Sequence, residues 1–512
     1  MADTSVIAAP FPQDRVGAPP SSRAPAPGRR RPGVPTWALL ATATAYGVSQ
    51  LQVWRTMLGW DESIYLSQVS RVAPAAFFSA PRARGITWLA APLELLSPSI
   101  VDLRVYLSVL SALALFLAFR IWFAVTAPFA AVLAALGFAG LWVTRFYGAQ
   151  LMPNLWVAFG LVAATGGFIR LTNHKSDRVG LVALPLGLAF AALMRPSDAA
   201  WAAAALLVLA TVVPGWRRIG RLYLLTGIGS ILGAAPWVIE AEQRFGGLTA
   251  RLHQASAIQG GLGPHLGAIL QHWQTMDGPL LCRPCAVAGT PPPTTFWWLV
   301  IPVAVVVVVL LARATRSPNA VPAALVPVVV GTVVAFPYLF LVGYSAPRFL
   351  LPAVAVLSLP VGAALHGLLR AGRGRPALTY LLVAVVVLGL AGQALAQQVV
   401  LTRQAATSTS DTRIYPRLAG ELTALGVHPP CVINGVRSPQ LAFYASCSSR
   451  NVGGHDGSIS LAGLQQLAGR QPVALVLAPG KKVPGYARHW RRHLLAAAGH
   501  ARPWIAYLAP GS

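Results

Sequence analysis

The sequence predicts a mostly α-helical, polytopic membrane protein: a transmembrane helical bundle of about 11 spans, followed by a small C-terminal α/β domain. Hydrophobic residues fill 55% of the 512 positions and charged residues only 11%, with a mean hydropathy of +0.60. A soluble core could not bury that much apolar surface. Runs such as Tyr106–Phe123 and Ala320–Val342 carry few or no charges and approach the roughly 20 apolar residues that cross a bilayer. These observations exclude a large soluble α/β enzyme.

The formal net charge is +26, from 40 Lys and Arg against 14 Asp and Glu, and nearly all the cations are arginines. They cluster between the apolar segments, for example at Arg217, Arg218 and Arg221. Loop cations are retained on the cytoplasmic side of a membrane protein, and they also meet anionic lipid headgroups. We therefore assign the positive charge to membrane topology and expect no nucleic-acid partner.

The N-terminal residues 1–35 are rich in Pro, Ala, Ser and Arg and end in the run Arg29-Arg30-Arg31. This composition predicts a disordered, basic cytoplasmic tail. No small-residue cleavage site follows the first apolar stretch, so that stretch is expected to remain as the first span. A membrane domain over residues 36–396 follows. Its predicted spans are 37–53, 103–123, 127–143, 153–170, 179–194, 199–213, 222–239, 296–312, 320–342, 349–369 and 377–396.

Counting spans from a cytoplasmic N terminus places three stretches outside the cytoplasm: a first loop at 54–102, a second loop at 240–295 and a tail domain at 397–512. Pro74–Ala80 and Ile86–Leu96 in the first loop are apolar but too short to span a bilayer. We expect both to be helices that lie in the membrane interface. The predicted location is the plasma membrane, with the tail domain extracytoplasmic.

The tail domain alternates between strand-like and helix-like segments. The predicted strands are Cys431–Asn434, Val473–Leu477 and Trp504–Leu508, and the predicted helices are Ser438–Ala445 and Leu461–Leu467. That order indicates a small α/β domain with a partly parallel sheet. The Val452-Gly453-Gly454 stretch is too short a motif to indicate a nucleotide site, so a structural or acceptor-positioning role is the better interpretation.

The four cysteines form two sequence-close pairs, Cys282 with Cys285 and Cys431 with Cys447. Both pairs fall in stretches predicted to lie outside the cytoplasm, where disulfides are permitted. A zinc site would need four ligands, and no histidines accompany the Cys-x-x-Cys element at finger spacing. We favour structural disulfides, although sequence alone does not fix their connectivity.

The adjacent acids Asp61 and Glu62 are the principal functional candidates. They follow the first span in a chain with only 14 acidic residues, and acids at a membrane face usually mark a pathway or a reaction centre. On a helix that opens near Asp61, Tyr65 lies one turn further along the same face. The alternative interpretation is helix capping, because acids favour the first turn of a helix. Capping explains one acid more easily than two.

The layout resembles the GT-C class of membrane glycosyltransferases, which includes protein O-mannosyltransferases and lipid A aminoarabinose transferases. The resemblance extends across most of residues 36–396. It is carried by Asp61-Glu62 with Tyr65, by Arg82 and Arg84 in the same loop, by Ser345-Ala-Pro-Arg348-Phe-Leu-Leu-Pro352, and by Arg195-Pro196-Ser197-Asp198. It implies a sugar donor carried on a polyprenyl phosphate and an extracytoplasmic acceptor.

In that chemistry Asp61 is the first choice for the base that takes the proton of the acceptor hydroxyl. Glu62 then binds a sugar hydroxyl, or it holds a divalent cation, Mg²⁺ or Mn²⁺, jointly with Asp61. Arginine suits the departing lipid phosphate because its planar guanidinium offers paired donors. Adjacent carboxylates alone do not establish a metal, which remains optional.

The remaining candidates each have a structural alternative. Arg82 and Arg84 contact either the donor phosphate or lipid headgroups, and Arg348 contacts the phosphate or extends to the interface. For Arg195 an ion pair with Asp198 is the favoured interpretation. Secondary candidates are Glu94 as a second carboxylate and His265 as a phosphate contact. Asp102 and Arg104 are expected to form a local pair at a helix start.

Two other classes of function stay open. A secondary transporter or lipid flippase would show inverted repeats and acids in the middle of its spans, and neither is evident here. A non-catalytic scaffold of the cell envelope would tolerate the loss of Asp61. The Ala-, Arg-, Gly- and Pro-rich composition suggests a GC-rich bacterial genome, for which a cell-envelope glycan, a glycolipid or a secreted protein is a reasonable acceptor. Mannose is one of the candidate sugars.

Overall fold

The computed structural model describes residues 33–285, 290–314, 320–372, 374–454, 456–495 and 503–510. The predicted tail at 1–35 therefore lies almost entirely outside the described residues. The first ten α-helices are α1 Val34–Ser49, α2 Trp60–Ser67, α3 Gly85–Glu94, α4 Ile100–Arg120, α5 Pro128–Gly140, α6 Trp142–Gly148, α7 Asn154–Asn173, α8 Arg178–Met194, α9 Pro196–Val212 and α10 Gly220–Arg244. Those that follow are α11 Leu248–Ile258, α12 Ala268–Gln274, α13 Val300–Ala314, α14 Ala320–Phe340, α15 Leu351–Ala371, α16 Pro376–Thr412, α17 Ile414–Ala424, α18 Ser438–Tyr444 and α19 Leu461–Ala468.

Short 3₁₀-helices continue or connect several of these helices. Their bounds are Gln50–Val53, Ile121–Ala124, Pro293–Leu299, Pro347–Leu350 and Gly485–Ala487. The strands lie in the tail and are β1 Val432–Gly435, β2 Ser448–Ser449, β3 Val473–Leu477, β4 Arg491–Leu495 and β5 Trp504–Leu508.

The prediction of a mostly helical membrane bundle is confirmed, whereas the count of 11 spans is not. Each predicted span coincides with a helix, but within the described residues seven helices are long and apolar enough to cross a bilayer. An eighth is added if α5 and α6, which meet at a bend of 76°, form one broken span. The helices α8 and α9 are apolar but shorter. The predicted span 127–143 therefore covers α5 and ends just beyond the bend, in the first residues of α6.

Helix α7 lies at the centre of the bundle, and 83% of the residues in its apolar stretch are buried. Its closest neighbour is α8, and glycines on both helices allow this approach. A Cβ at Gly160 would lie 2.7 Å from the Gly187 carbonyl oxygen, and one at Gly187 would lie 2.5 Å from that of Gly160. Small residues let membrane helices approach closely and gain van der Waals contact. The two helices therefore pack closely along their shared face.

The first loop contains one of its two predicted interfacial helices. Ile86–Leu96 corresponds to α3, but the prediction for Pro74–Ala80 is wrong, because this segment is irregular. The Ala76 amide donates to Ser67 Oγ at 3.0 Å, and the Ala76 carbonyl accepts from Gln68 Nε2 at 2.9 Å. These side chains at the end of α2 satisfy backbone groups that a helix would otherwise pair.

The C-terminal domain is the predicted α/β unit with a partly parallel sheet. The strand order is β2-β1-β3-β5-β4, with β1 parallel to β2 and β3, and β5 antiparallel to β3 and β4. Strand β4 was not predicted, because its sequence Arg-Arg-His-Leu-Leu begins with three polar residues and forms no apolar run. It is an edge strand, and exposed arginines are a common protection of such edges.

Helix α16 joins the two parts of the molecule. At 37 residues it is about 55 Å long, well beyond the roughly 30 Å of a bilayer core. The predicted domain boundary at residue 397 consequently falls within this helix. Disulfides join Cys282 to Cys285 in the second loop and Cys431 to Cys447 in the C-terminal domain.

Candidate active site

Helix α2 sends its two acids in different directions. It begins at Trp60 after an extended Gly59, so Asp61 and Glu62 occupy adjacent positions in its first turn. Adjacent residues on an α-helix point about 100° apart. The Asp61 side chain faces a cavity and is 29% exposed, whereas the Glu62 side chain is 4% exposed within the protein.

Asp61 is held between two guanidinium groups. Its Oδ1 atom accepts from Arg82 Nη2 at 2.9 Å, and its Oδ2 atom accepts from Arg348 Nη2 at 3.3 Å. Burial acts to raise the pKa of Asp61, but the charges of Arg82 and Arg348 outweigh it, so that this pKa lies below its usual range. Asp61 is therefore an ionised carboxylate at the wall of the cavity.

Glu62 has a different set of partners. Its carboxylate pairs with the fully buried Arg104, with Oε2 accepting from Nη2 at 3.0 Å, and accepts from the Leu151 amide at 2.7 Å. It also accepts from the Gly59 amide at 3.0 Å, as a helix-capping acid does. The expected pair of Arg104 with Asp102 is wrong, because Arg104 binds Glu62 instead.

These contacts place Glu62 outside the reacting part of the site, in contrast to its predicted role in sugar or metal binding. The proposed joint cation site also does not fit, since an arginine already neutralises each of the two carboxylates. Among the described residues no cluster of three or more His, Cys, Asp or Glu side chains could hold a metal ion. No step is assigned to a metal.

Three other predicted residues line the same cavity as Asp61: Tyr65, Arg195 and His265. The Arg195 Nε atom lies 3.1 Å from Asp198 Oδ2, which is the ion pair favoured from the sequence, and its Nη2 donates to the Tyr338 hydroxyl at 2.8 Å. Arg195 still borders the cavity. The positive charge of Arg195 therefore contributes to the electrostatic potential in the cavity, although Arg195 is paired with Asp198.

Two predicted site residues lie elsewhere. Arg84 donates to Glu240 Oε1 from Nε at 3.0 Å and to Gln68 Oε1 at 2.8 Å. Glu94 is buried at the end of α3. Neither borders the cavity, so their predicted contacts with substrate have no geometric support. Arg84 instead attaches the first loop to the end of α10.

The cavity has a volume of about 1180 Å³ and lies between the membrane bundle and the C-terminal domain. Its lining residues come from the first and second loops, the segment before α7, the junction of α8 and α9, the region from the end of α14 to the segment before α15, and the C-terminal domain. Five of its lining residues are arginines and two are aspartates, which leaves an excess of three positive charges. The arginines are Arg82, Arg195, Arg283, Arg348 and Arg437.

The C-terminal domain contributes residues that sequence reasoning missed. Asp456 Oδ1 accepts from Arg82 Nη1 at 3.0 Å, and its Oδ2 accepts from Trp60 Nε1 at 2.8 Å. Asn434, at the end of β1, interacts with the Tyr486 hydroxyl, but its Nδ2 atom has no hydrogen-bond partner of normal geometry. The rarity of acids, which drew attention to Asp61, would also have singled out Asp456.

Comparison with solved structures shows that the fold of this chain is similar to the folds of ArnT and of an archaeal oligosaccharyltransferase. The chain is similar to ArnT from Cupriavidus metallidurans bound to undecaprenyl phosphate, with a TM-score of 0.63 and 14% identity over 94% of this chain and 99% of that chain. For ArnT in the apo state the TM-score is 0.59 at 16% identity, over 92% and 98% of the two chains.

A third similar structure is the oligosaccharyltransferase of Archaeoglobus fulgidus tethered to an acceptor peptide. Its TM-score is 0.51 at 12% identity, over 81% of this chain and 63% of that longer chain. No protein-family model and no curated protein matches the sequence. At identities this low the shared property is the fold, and the predicted GT-C fold is confirmed.

Proposed function

We propose that this chain is a membrane glycosyltransferase that moves a sugar from a polyprenyl-phosphate donor to an acceptor outside the cytoplasm. The observation that carries the proposal is the ionised Asp61 between Arg82 and Arg348, on the wall of a cavity shared by the membrane bundle and the C-terminal domain. A carboxylate and fixed cations are the two groups that glycosyl transfer from a phosphate requires.

The charge of the cavity favours a donor that carries a phosphate. Five lining arginines exceed the two lining aspartates, so an anion entering the cavity is attracted. The guanidinium groups of Arg82 and Arg348 both contact the Asp61 carboxylate. A phosphate that enters the cavity beside Asp61 can therefore reach both of them. ArnT, whose fold is similar, has been solved with undecaprenyl phosphate bound. A polyprenyl-phosphate sugar fits both the charge and the membrane setting.

In the proposed reaction the acceptor hydroxyl oxygen forms a bond to the anomeric carbon of the sugar. The bond from that carbon to the phosphate oxygen breaks, and its electron pair leaves with the polyprenyl phosphate. The acceptor proton passes to the Asp61 carboxylate. The guanidinium groups of Arg82 and Arg348 stabilise the charge that develops on the departing phosphate. Asp61 is the proposed catalytic base.

Donor binding would also strengthen this base. In the free protein both carboxylate oxygens of Asp61 accept from arginines, which makes Asp61 a weak proton acceptor. A donor phosphate competes with Asp61 for the same guanidinium groups. As these groups turn toward the phosphate, their hold on the carboxylate weakens and its pKa rises. The base thus becomes effective when the leaving group is in place.

The C-terminal domain is the proposed acceptor side of the cavity. It contributes Asn434 at the end of β1, Arg437 in the loop that follows, and the segment around Asn451 and Asp456. The amide of Asn434 and the exposed guanidinium of Arg437 are donors at the cavity wall, so they favour an acceptor rich in oxygen atoms. A cell-envelope glycan, a glycolipid or a protein would satisfy this requirement.

The proposal is tested by supplying the purified protein with labelled polyprenyl-phosphate mannose, glucose, arabinose and galactose, together with a cell-envelope extract as the source of acceptor. Consumption of at least one donor, with release of polyprenyl phosphate, is expected. If none is consumed, the same protein in sealed vesicles distinguishes the alternative, because a transporter or flippase would move a labelled solute across the membrane without altering its covalent structure. That outcome would replace the glycosyltransferase proposal.

A further inference from the structure

A second basic cleft lies beyond the C-terminal end of α1, apart from the cavity around Asp61. Its volume is about 810 Å³. It is formed where the segment after α1 meets the last turns of α16 and the first turns of α17. Its lining residues are Leu51, Gln52, Arg55, Thr402, Ala405, Ala406, Thr409, Ser410, Arg413, Ile414 and Arg417. It shares no lining residue with the cavity around Asp61.

The cleft presents three cations and no acid of its own. Arg55, Arg413 and Arg417 are exposed, and within the described parts of the chain none of them forms an ion pair. The nearby Asp411 does not line the cleft. Elsewhere in this protein, several buried or half-buried arginines are matched with acids, as Arg104 is with Glu62. Three unmatched guanidinium groups around one concavity therefore favour an anionic ligand.

An exposed apolar strip leads into the cleft from the membrane side. On α16, Leu395 and Val399 are 69% and 58% exposed, and helical spacing places them on the face that continues to Thr402 and Ala406. On the other wall, Leu51 is 50% exposed and precedes Arg55 by four residues. Both walls thus change from apolar to polar at the same level, as surfaces do at the boundary between acyl chains and headgroups.

We propose that this cleft binds the phosphate headgroup of an anionic membrane lipid, with the lipid chains lying along the exposed strip of α16. A free phosphate would use the arginines alone, whereas a lipid uses the arginines and the apolar strip together. The ligand class is therefore an anionic phospholipid. Each arginine near an anionic headgroup is expected to contribute a factor of about five in affinity.

A lipid in this position would join the first loop to the C-terminal domain. Arg55 belongs to the first loop, whereas Arg413 and Arg417 lie where α16 meets α17. The two walls are already connected, because the Met57 amide donates to Thr412 Oγ1 at 3.0 Å. The Met57 carbonyl in turn accepts from Arg104 Nη2 at 3.1 Å, and Arg104 holds Glu62. A headgroup across the cleft would hold the segment that precedes α2.

The test is native mass spectrometry of the full-length protein titrated with phosphatidylglycerol, phosphatidylcholine or inorganic phosphate. We expect the wild type to retain phosphatidylglycerol in preference to the other two probes. The variant Arg55→Gln/Arg413→Gln/Arg417→Gln should bind it at least tenfold more weakly. The control Arg71→Gln removes an exposed arginine from the same loop but outside the cleft, and it should bind like the wild type.

The proposal is overturned if the triple variant binds phosphatidylglycerol as tightly as the wild type, or if phosphatidylcholine binds equally well. Binding of inorganic phosphate as strong as that of the lipid would overturn the lipid assignment. If the triple variant does not fold, photoreactive phosphatidylglycerol is added to the wild type. Crosslinks are then expected within 51–55 and 402–417, and labelling only outside these stretches contradicts the proposal. None of these readouts depends on glycosyl transfer.

Discussion

The two arginines beside Asp61 determine both its charge and its strength as a base. Their proximity keeps the pKa of Asp61 below its usual range despite burial, and an ordinary Asp titrates near 3.9. Because the ionised form is favoured, the carboxylate persists as the pH falls through that ordinary value and is lost only at lower pH. The pH dependence of the reaction should carry this signature.

Replacing Arg82 by Gln removes one of the two charges that lower the pKa of Asp61. The pKa should then rise, so that the acid-side inflection of kcat/KM, which reports the free enzyme, moves to higher pH. The pH profile of donor consumption measures this shift. Arg84→Gln is the matched control, because Arg84 lies in the same loop but pairs with Glu240 away from the cavity. An unmoved inflection in Arg82→Gln would contradict the account of Asp61.

Replacing Arg348 by Gln should weaken the hold on the donor phosphate. A hydrogen bond to a charged group contributes about 1.5–3 kcal/mol, which corresponds to a roughly ten- to hundredfold rise in KM for the donor. Steady-state kinetics at varied donor concentration measures it. The control Arg370→Gln changes the last turn of α15, at the opposite end of the helical segment that contains Arg348. Equal KM values for the wild type and Arg348→Gln would exclude a phosphate contact.

At the scale of elements, α2 and α4 are joined by the Glu62–Arg104 pair. Arg104 is completely buried near the start of α4, where only a carboxylate partner makes its charge tolerable. The pair also connects to the segment after α6 through the Leu151 amide. It therefore fixes the position of the first turn of α2, which carries Asp61.

Replacing Glu62 by Gln should leave the buried Arg104 without its counter-charge. Breaking one partner of a buried ion pair costs about 3–5 kcal/mol, so the variant should unfold at a clearly lower temperature. Thermal unfolding of the purified protein in detergent measures the change. Glu94→Gln is the control, because Glu94 is also buried but forms no ion pair in the described part of the chain. If Glu62→Gln and Glu94→Gln lower the unfolding temperature equally, the Glu62–Arg104 pair does not have the proposed stabilising role.

Elements with local signals could be predicted from the sequence, and contacts between distant elements could not. Apolar run length located the membrane helices, and short apolar runs located β1, β3 and β5. Periodicity does not reveal which neighbour an arginine meets, so Arg104 was assigned to Asp102, two residues away, instead of Glu62. Arg348 was singled out because it lies at the predicted outside end of a span, where the positive-inside rule does not explain an arginine. The same reasoning applies to Arg104, which also lies at the predicted outside end of a span.

The whole molecule builds its cavity from segments that are far apart in the chain. Arg82 contacts Asp61 at a separation of 21 residues, whereas Trp60 contacts Asp456 at a separation of 396. A sequence pattern can nominate Asp61 by its rarity, but only the fold brings Asp456 to the same arginine. The C-terminal domain is thereby part of the site and not an appendage of the membrane bundle.

Replacing Asp456 by Asn should loosen the C-terminal domain over the cavity. The change removes the charge that Arg82 meets on that side, and charge-assisted hydrogen bonds are about twice as strong as neutral ones. We expect kcat/KM to fall about tenfold and the loops after β1 and β2 to exchange amide hydrogens faster. Asp411→Asn, an exposed acid of α16 outside the cavity, should change neither property. Unaltered exchange and activity in Asp456→Asn would contradict the role of the domain.

The most direct measurement is single-turnover transfer by Asp61→Asn with a donor that the wild type consumes, at a donor concentration that saturates both proteins. We predict that the variant is inserted, folded and able to bind polyprenyl phosphate, but that its rate of transfer falls by about 10²–10⁴, the usual contribution of a positioned base. Asp102→Asn, an exposed acid at the start of α4, should retain the wild-type rate. Equal rates for the wild type and Asp61→Asn would show that Asp61 is not the base.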